Sequence, residues 1–187
     1  GRGGAAPAVY SPGGSEDGYI APDPRDPDIF YSGTNANGGG TGLTGVQAVA
    51  VSPDGAHVYA VSDGENAIAV FARDAGSGAL TFVQALADGA GGIVDGLGGA
   101  QGVAVSPDGA HVYTTGYGDK AVTVFNRDAA SGLLTFGQLI QRNPLAGSPA
   151  QPLLDGARDI RVSPDGSSVY AAAFVDDLPD GYDTVLG

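Results

Sequence analysis

The sequence predicts an all-β fold made of repeated four-stranded antiparallel sheets, and three observations lead to this prediction. First, residues 45–84 and 99–138 match at 26 of 40 positions when aligned without a gap at an offset of 54 residues. Second, a shorter third copy begins at Gly156 and keeps the SPDG turn with the Val-Tyr pair that follows it. Third, β-forming residues alternate with turns rich in glycine and proline. Repeats of this kind are typical of β-propeller blades.

Each full repeat contains four candidate strands, and the first repeat shows them most clearly. Strands are predicted at 46–51, 57–61, 67–71 and 80–86. The residues Ser-Pro-Asp-Gly at 52–55 place Ser at position i, Pro at i+1 and Gly at i+3, which suits a type I turn. The third strand carries no polar residue, so we expect both of its faces to be buried, as in the inner strands of a propeller blade.

The chain divides into five segments that we expect to form one domain. These are a lead-in tail at 1–17, a diverged partial repeat with a glycine-rich loop at 18–44, full repeats at 45–98 and 99–155, and a partial repeat at 156–187. The segment 18–44 should hold a hairpin with strands near 18–21 and 28–32. With about three to three and a half repeats, the chain is predicted to be a partial propeller.

Composition and charge bound the possible functions. The 187 residues include 33 glycines and 12 prolines, and a hydrophobic fraction of 42% suffices for a packed core. The net charge of −13 disfavours nucleic acid and anionic membranes as partners. There is no cysteine, and no apolar run approaches the roughly 20 residues that span a bilayer. Residues 40–45 spell GxGxxG, but the predicted strand after them excludes the dinucleotide motif, which needs a helix there.

Repeat-equivalent aromatic residues and the linkers are interpreted as structural. The linkers at 87–98 and 141–155 each carry an apolar pair that should pack under the next blade, Ile93-Val94 and Leu153-Leu154. His57 and His111 share one slot, which indicates packing rather than chemistry. The aromatic residues expected in the core are Tyr59, Tyr113, Tyr170, Phe71, Phe125, Phe82 and Phe136.

The motif order SPDGxxVY, VxVFxRD and SGxLTF, joined by a VDGLGGA-type linker, resembles the bacterial β-propeller lactonase family and the related surface proteins with YVTN-type repeats. The resemblance covers about residues 45–174. The segment SEDGYIAPDPRDPDIFYSGT is similar to the repeats of BNR or sortilin-type propellers. The lactonase family is usually seven-bladed, so the resemblance also implies a partial ring, and the YVTN likeness implies an extracellular or cell-surface location.

The resemblance implies channel-lining positions at the start of each innermost strand, where lactonase propellers often carry Arg-His or His. The matching pairs in this chain are Gln47-Ala48, Gln101-Gly102 and Arg158-Asp159. The family also tends to carry Glu shortly after the second strand's Tyr-Val pair, and the matching residues are Asp63, Tyr117 and Phe174. As a lactonase, the chain would use Arg158 to hold an anionic or carbonyl oxygen and Asp63 as a base or metal ligand.

Two functions from different classes follow from these patterns. A strong repeat signal without a convergent catalytic set favours a secreted or surface propeller module with a binding or structural role. Its partner would be a protein, a glycan, or another copy of the chain paired through open strand edges, including one near 183–186. The alternative is a lactonase-like hydrolase acting on a sugar lactone, similar to 6-phosphogluconolactonase.

An acidic cluster near the end of the sequence gives one metal hypothesis. Its members are Asp176, Asp177, Asp180 and Asp183. Clustered carboxylates beside a glycine can wrap Ca²⁺, although Leu178 breaks the EF-hand pattern at its third position. A solvated acidic turn is the other interpretation. No cofactor is required by either predicted function, and Ca²⁺ is the one candidate.

Overall fold

The computed structural model describes residues 20–23, 26–32, 43–141, 154–174 and 183–186, with side chains described for 43–141 and 154–174. The strands form antiparallel sheets, so the predicted all-β propeller architecture is confirmed.

The N-terminal hairpin comprises β1 (Ile20–Asp23) and β2 (Asp26–Ser32). The first full blade comprises β3 (Val46–Val51), β4 (His57–Ser62), β5 (Ala67–Arg73) and β6 (Leu80–Ala87). The second full blade comprises β7 (Ala100–Val105), β8 (His111–Gly116), β9 (Ala121–Arg127) and β10 (Leu134–Ile140). The C-terminal sheet comprises β11 (Ala157–Val162), β12 (Val169–Phe174) and β13 (Asp183–Leu186).

Tight turns set the meander of each blade. The predicted turn after β3 is present, since the Gly55 N–H donates to the Ser52 carbonyl over 2.7 Å. Gly55 has a φ of 66°, a left-handed conformation that glycine adopts without a steric penalty. The same bond closes the turns at Gly109 and Gly166, at 2.8 Å in both. The repeated SPDG motif therefore encodes the same reversal between the first two strands of all three sheets.

Neighbouring blades pack face to face and bury a shared apolar core. All six residues of β4 are buried, as are the first four residues of β5. The core between the two full blades contains Tyr59, Val61, Ile68, Val70, Val94, Leu97, Ala100, Val103, Val112, Phe125 and Leu134. A second cluster joins the second blade to the C-terminal sheet and contains Val122, Leu154, Ala157, Ile160, Ala171 and Ala173. Burying each large apolar side chain contributes about 1.5–3 kcal/mol, so blade-on-blade contact stabilises the array.

Two predicted core aromatic residues are exposed instead. Tyr59 is fully buried because the second full blade covers it, whereas Tyr170 in the equivalent slot is 43% exposed. No blade within the described residues packs over the Tyr170 face of the C-terminal sheet. Phe82 is 45% exposed because it lies on β6, the outermost strand of its blade, where it contacts Phe71 edge-on. Equivalence between repeats correctly predicted that these residues lie on strands. It did not predict whether another element covers their side chains.

The linker at 87–98 corrects a further expectation. Val94 is buried and joins the core between the full blades, but Ile93 is 66% exposed, so the predicted packing of the pair is wrong for Ile93. Leu97, which the sequence patterns did not single out, is fully buried in that core. The buried residues of this linker are Val94, Gly96 and Leu97, so its contact with the core begins one residue after Ile93. No helix among the described residues is long and apolar enough to cross a membrane.

A buried arginine ties the two full blades together through hydrogen bonds. The Arg127 side chain is 1% exposed. Its Nε–H donates to the Tyr59 hydroxyl over 2.6 Å, and its Nη1 donates to the Gly109 carbonyl over 2.9 Å. Its Nη2 lies 3.0 Å from both Asp54 Oδ2 and His57 Nδ1. Because arginine only donates, the Nδ1 of His57 accepts this bond and therefore carries no proton.

The same cluster shifts the pKa of two titrating groups, Asp54 and His57. Partial burial raises the pKa of Asp54, but hydrogen bonds from Ser52, a backbone N–H and Arg127 outweigh it and hold the pKa at about 2. Burial lowers the pKa of His57, and the positive charge of Arg127 lowers it further. Both shifts favour the pairing seen in the fold, an anionic carboxylate and a neutral imidazole around one cation.

Lowering the pH from about 7.5 to about 5.5 should reduce the free energy of unfolding through His57. Because its pKa is lowered in the fold, the unfolded chain takes up the proton first, and stability falls as pH falls through the ordinary histidine range. Urea unfolding at the two pH values measures the difference. His57→Asn should flatten this dependence, because it removes the group whose pKa is lowered in the fold. An equal pH dependence in wild type and His57→Asn would contradict this assignment.

Candidate functional site

Each innermost strand carries a β-bulge at the same position. In β3, Val46 pairs with Ser62 and Ala48 pairs with Val61, so Gln47 is an extra residue in the register. Gln101 in β7 and Arg158 in β11 are skipped in the same way. A bulge leaves one residue unpaired and redirects its side chain, and bulges are frequent beside active sites. The repeat therefore delivers one redirected polar side chain per sheet.

The innermost strands β3, β7 and β11 are neighbours, and residues of all three line one cavity of about 210 Å³. The lining residues are Gln47, Ala48, Val49, Gln101, Val103, Arg158, Asp159 and Arg161. The structure thus brings all four predicted channel residues together. Arg161 was missed, because it lies three positions after Arg158 and matches no motif that the resemblance carries.

Asp63 does not line the cavity itself but contacts Gln47, which does. Its Oδ2 accepts a hydrogen bond of 2.7 Å from Gln47 Nε2, and Asp63 is not one of the lining residues. Asp63 follows the end of β4, so this contact joins the second strand of the first full blade to the bulge of the first strand. The carboxylate fixes the orientation of the Gln47 amide.

Arg158 is held by aromatic rings. Its Cζ lies over the Tyr117 ring at 5.4 Å from the centroid and over the Phe174 ring at 5.5 Å. A guanidinium within about 6 Å of a ring centroid is attracted by the negative face of the ring. Tyr117 is 37% exposed and Phe174 is 43% exposed, so both rings hold Arg158 from partly solvated positions.

Asp159 and Arg161 form a solvated ion pair at the cavity. The Arg161 Nη2 lies 3.2 Å from Asp159 Oδ2, and the two side chains are 67% and 50% exposed. Pairs of this exposure contribute about 0–1 kcal/mol, so the pair constrains both groups only weakly. The other carboxylate oxygen of Asp159 accepts the Ile160 N–H over 2.8 Å. Asp159 is therefore the carboxylate that a ligand in the cavity meets directly.

Gly102 sets how closely two sheets approach beside the cavity. A Cβ at this position would lie 2.9 Å from the Arg158 carbonyl oxygen and 3.1 Å from Asp159 Cα. These are backbone atoms that cannot move aside, so only glycine allows β7 to pack this tightly on β11. The resemblance implies a histidine at this kind of position in many lactonase propellers, and the packing here leaves no space for one.

Acidic residues that could hold a metal occur in two places. The side chains of the predicted set, Asp176, Asp177, Asp180 and Asp183, lie outside the described residues. Elsewhere, carboxylate oxygens of Asp88, Asp95 and Asp119 lie within 4.8 Å of one another. All three carboxylates accept backbone N–H groups of the 87–98 linker: Asp88 from Leu97 over 3.1 Å, Asp95 from Gly96 over 2.9 Å and Asp119 from Gly98 over 2.6 Å. These bonds shape the linker.

Blades of four antiparallel strands, with bulged polar residues around a cavity on the innermost strands, define a β-propeller with a polar cavity at the innermost strands. The sequence profile of the lactonase family of seven-bladed β-propellers matches residues 31–141. The chain belongs to this family. The matched range includes Gln47, Asp63 and Gln101, while Arg158 and Asp159 lie in the following repeat.

Solved structures share the fold. The periplasmic gluconolactonase of Pseudomonas aeruginosa is 24% identical with a TM-score of 0.53, over 78% of this chain and 40% of that chain. A Bacteroides uniformis protein that carries the assignment 6-phosphogluconolactonase is 19% identical with a TM-score of 0.55, over 89% and 46%. A protein of unknown function from Desulfotomaculum acetoxidans is 19% identical with a TM-score of 0.56, over 90% and 48%. This chain thus spans about two fifths to a half of their lengths. No curated protein sequence matches it.

Proposed function

We propose that this chain forms part of a lactonase-like hydrolase that opens a sugar lactone. One observation carries the proposal: three sheets direct their bulged residues, Gln47, Gln101 and Arg158, into one cavity beside Asp159. A scaffold has no need to collect redirected polar groups at one place. Membership of the lactonase family supports the same conclusion and favours the hydrolase over a binding or structural module.

The reaction divides naturally among these groups. A lactone is a cyclic ester, so hydrolysis adds a water oxygen to the carbonyl carbon and then breaks the ring C–O bond. The Arg158 guanidinium donates hydrogen bonds to the carbonyl oxygen as it becomes an oxyanion. The Asp159 carboxylate takes the proton from the attacking water, and that proton passes to the ring oxygen as it leaves. The product is an open-chain hydroxy acid.

The two glutamines and Asp63 serve substrate recognition in this scheme. The side-chain amides of Gln47 and Gln101 offer both donors and acceptors, which suit sugar hydroxyls. Because Asp63 accepts one N–H of Gln47, it fixes which way that amide presents its remaining groups. Asp63 was the candidate base in the sequence, but its position behind Gln47 suits orientation better than proton transfer. Two similar structures are named as a gluconolactonase and a 6-phosphogluconolactonase, so gluconolactone and its 6-phosphate are the first substrates to test.

Hydrolysis rates on glucono-δ-lactone and 6-phosphoglucono-δ-lactone test this proposal. Wild-type protein should exceed the spontaneous rate, and Asp159→Asn should lower kcat by about 10²-fold or more, because it removes the base. Asp63→Asn keeps a hydrogen-bond acceptor for Gln47 and should retain most activity. A spontaneous rate with both lactones would contradict the proposal. A larger loss in Asp63→Asn than in Asp159→Asn would instead return the base role to Asp63.

A further inference from the structure

One sequence slot in each sheet contacts a channel residue. The residues Asp63, Tyr117 and Phe174 occupy equivalent positions, at or just after the end of the second strand. Asp63 holds Gln47 by a hydrogen bond, whereas Tyr117 and Phe174 both lie beside Arg158. The slot therefore changes chemistry with its partner, a carboxylate for an amide and aromatic rings for a guanidinium.

The partners of Arg158 leave its hydrogen-bond donors unused. Arg127 donates hydrogen bonds to Tyr59, Asp54, His57 and the Gly109 carbonyl, and Arg161 pairs with Asp159. Within the described part of the chain, Arg158 has no hydrogen bond and no ion pair, only the two ring contacts. The chain carries 21 acidic residues against 8 basic ones, so a carboxylate partner would be easy to supply. Aromatic rings fix a cation without neutralising it and accept none of its strong N–H bonds.

We propose that Tyr117 and Phe174 are positioning residues that hold the Arg158 guanidinium at the cavity and keep its N–H groups free for a ligand oxyanion. Tyr117 reaches from the second full blade to the C-terminal sheet, so the position of Arg158 depends on how these two sheets pack. The inference rests on the proposed function, because it assumes that the cavity binds the substrate. It extends that function by assigning the specificity for a negatively charged oxygen to three residues together, Arg158, Tyr117 and Phe174.

Ring currents provide a test that does not require turnover. A guanidinium proton above an aromatic face resonates upfield, so the Nε–H signal of Arg158, assigned by its loss in Arg158→Lys, should be shifted in ¹⁵N-labelled wild type. Tyr117→Phe keeps the ring and should keep the shift. Tyr117→Leu and Phe174→Leu should move the signal towards that of a solvated arginine. Phe82→Leu, an equivalent change on exposed β6, should not move it.

Binding and kinetics measure the consequence for the ligand. Each ring contact at an exposed site corresponds to roughly a two- to fivefold effect, so each Leu variant should weaken inorganic phosphate binding at Arg158 by roughly that factor. The value of kcat/KM for the lactone should fall by a similar factor, and Tyr117→Phe should match wild type. Phe82→Leu should alter neither quantity, which separates a positioning role from a general loss of stability.

Three outcomes distinguish the inference from the function it extends. A shifted Arg158 signal that disappears in the Leu variants, with weaker phosphate binding, supports the inference even if no lactone is hydrolysed. A wild-type signal at the position of a solvated arginine overturns the inference, even if lactones are hydrolysed. Phosphate binding that is equal in wild type and both Leu variants also overturns it, because the rings would then contribute nothing to the site.

Discussion

Replacing Arg127 with alanine is expected to lower the free energy of unfolding by about 3–5 kcal/mol, because several buried polar groups lose their donor and each such loss costs about 1–3 kcal/mol. The side chain is 1% exposed and donates to groups of both full blades, including Asp54 and Tyr59. Its loss leaves the Tyr59 hydroxyl oxygen, the Gly109 carbonyl and the His57 Nδ1 without the donor that they share, at the interface between the blades. The free energy of unfolding lost in Arg127→Ala should exceed that lost when any single surface ion pair in the described part of the chain is removed.

Urea unfolding of matched variants measures this effect. Lys120→Ala is the control, because Lys120 also forms an ion pair, 2.8 Å from Asp155, but is 48% exposed and should cost about 0–1 kcal/mol. Should Arg127→Ala fail to fold, Tyr59→Phe removes two hydrogen bonds of the same cluster, one from Arg127 Nε–H and one to the Gly132 carbonyl, and should cost about 1–3 kcal/mol. A loss for Arg127→Ala no larger than for Lys120→Ala would show that the cluster does not stabilise the interface.

The repeat made the strands predictable, because each strand depends on residues that lie close in sequence. The alternation of apolar residues and SPDG turns placed β3 and β4 correctly, including the closed turn at Gly55. Whether a residue is buried depends on what packs over it. Tyr59 and Tyr170 share a slot, yet only Tyr59 is covered by a following blade. Repeat identity therefore predicts backbone path better than it predicts burial.

For the candidate site too, the positions of the residues were predictable from the sequence, but their contacts were not. Gln47, Gln101 and Arg158 were identified from a resemblance, and no local pattern reveals the bulges that redirect them, since a bulge appears only in the register of paired strands. The pairing of Arg158 with Tyr117 also crosses from one sheet to the next, over 41 positions of sequence (158 − 117). The equivalence of Asp63, Tyr117 and Phe174 was visible in the sequence, but their contacts were not.

Removing the Arg158 guanidinium should reduce lactone hydrolysis by about 10²–10³ in kcat, the usual loss when one donor to a developing oxyanion is deleted. Arg158→Ala should leave stability almost unchanged, because the residue is exposed and forms no hydrogen bond or ion pair within the described residues. Its effect should therefore appear in kcat while the urea midpoint stays near that of wild type. This is the reverse of the pattern expected for Arg127→Ala, in which stability falls first.

Two further variants test whether the guanidinium acts through its geometry or its charge alone. Arg158→Lys keeps the positive charge but loses the planar donor set, so it should recover only part of the activity. Arg161→Ala removes a second cation from the same cavity and should have a smaller effect, because Arg161 is already paired with Asp159. Free guanidinium at low, non-denaturing concentration should partly restore Arg158→Ala, since the two rings still offer a place for it. Equal losses for Arg158→Ala and Arg161→Ala would mean that the cavity responds to net charge, and the oxyanion role of Arg158 would be wrong.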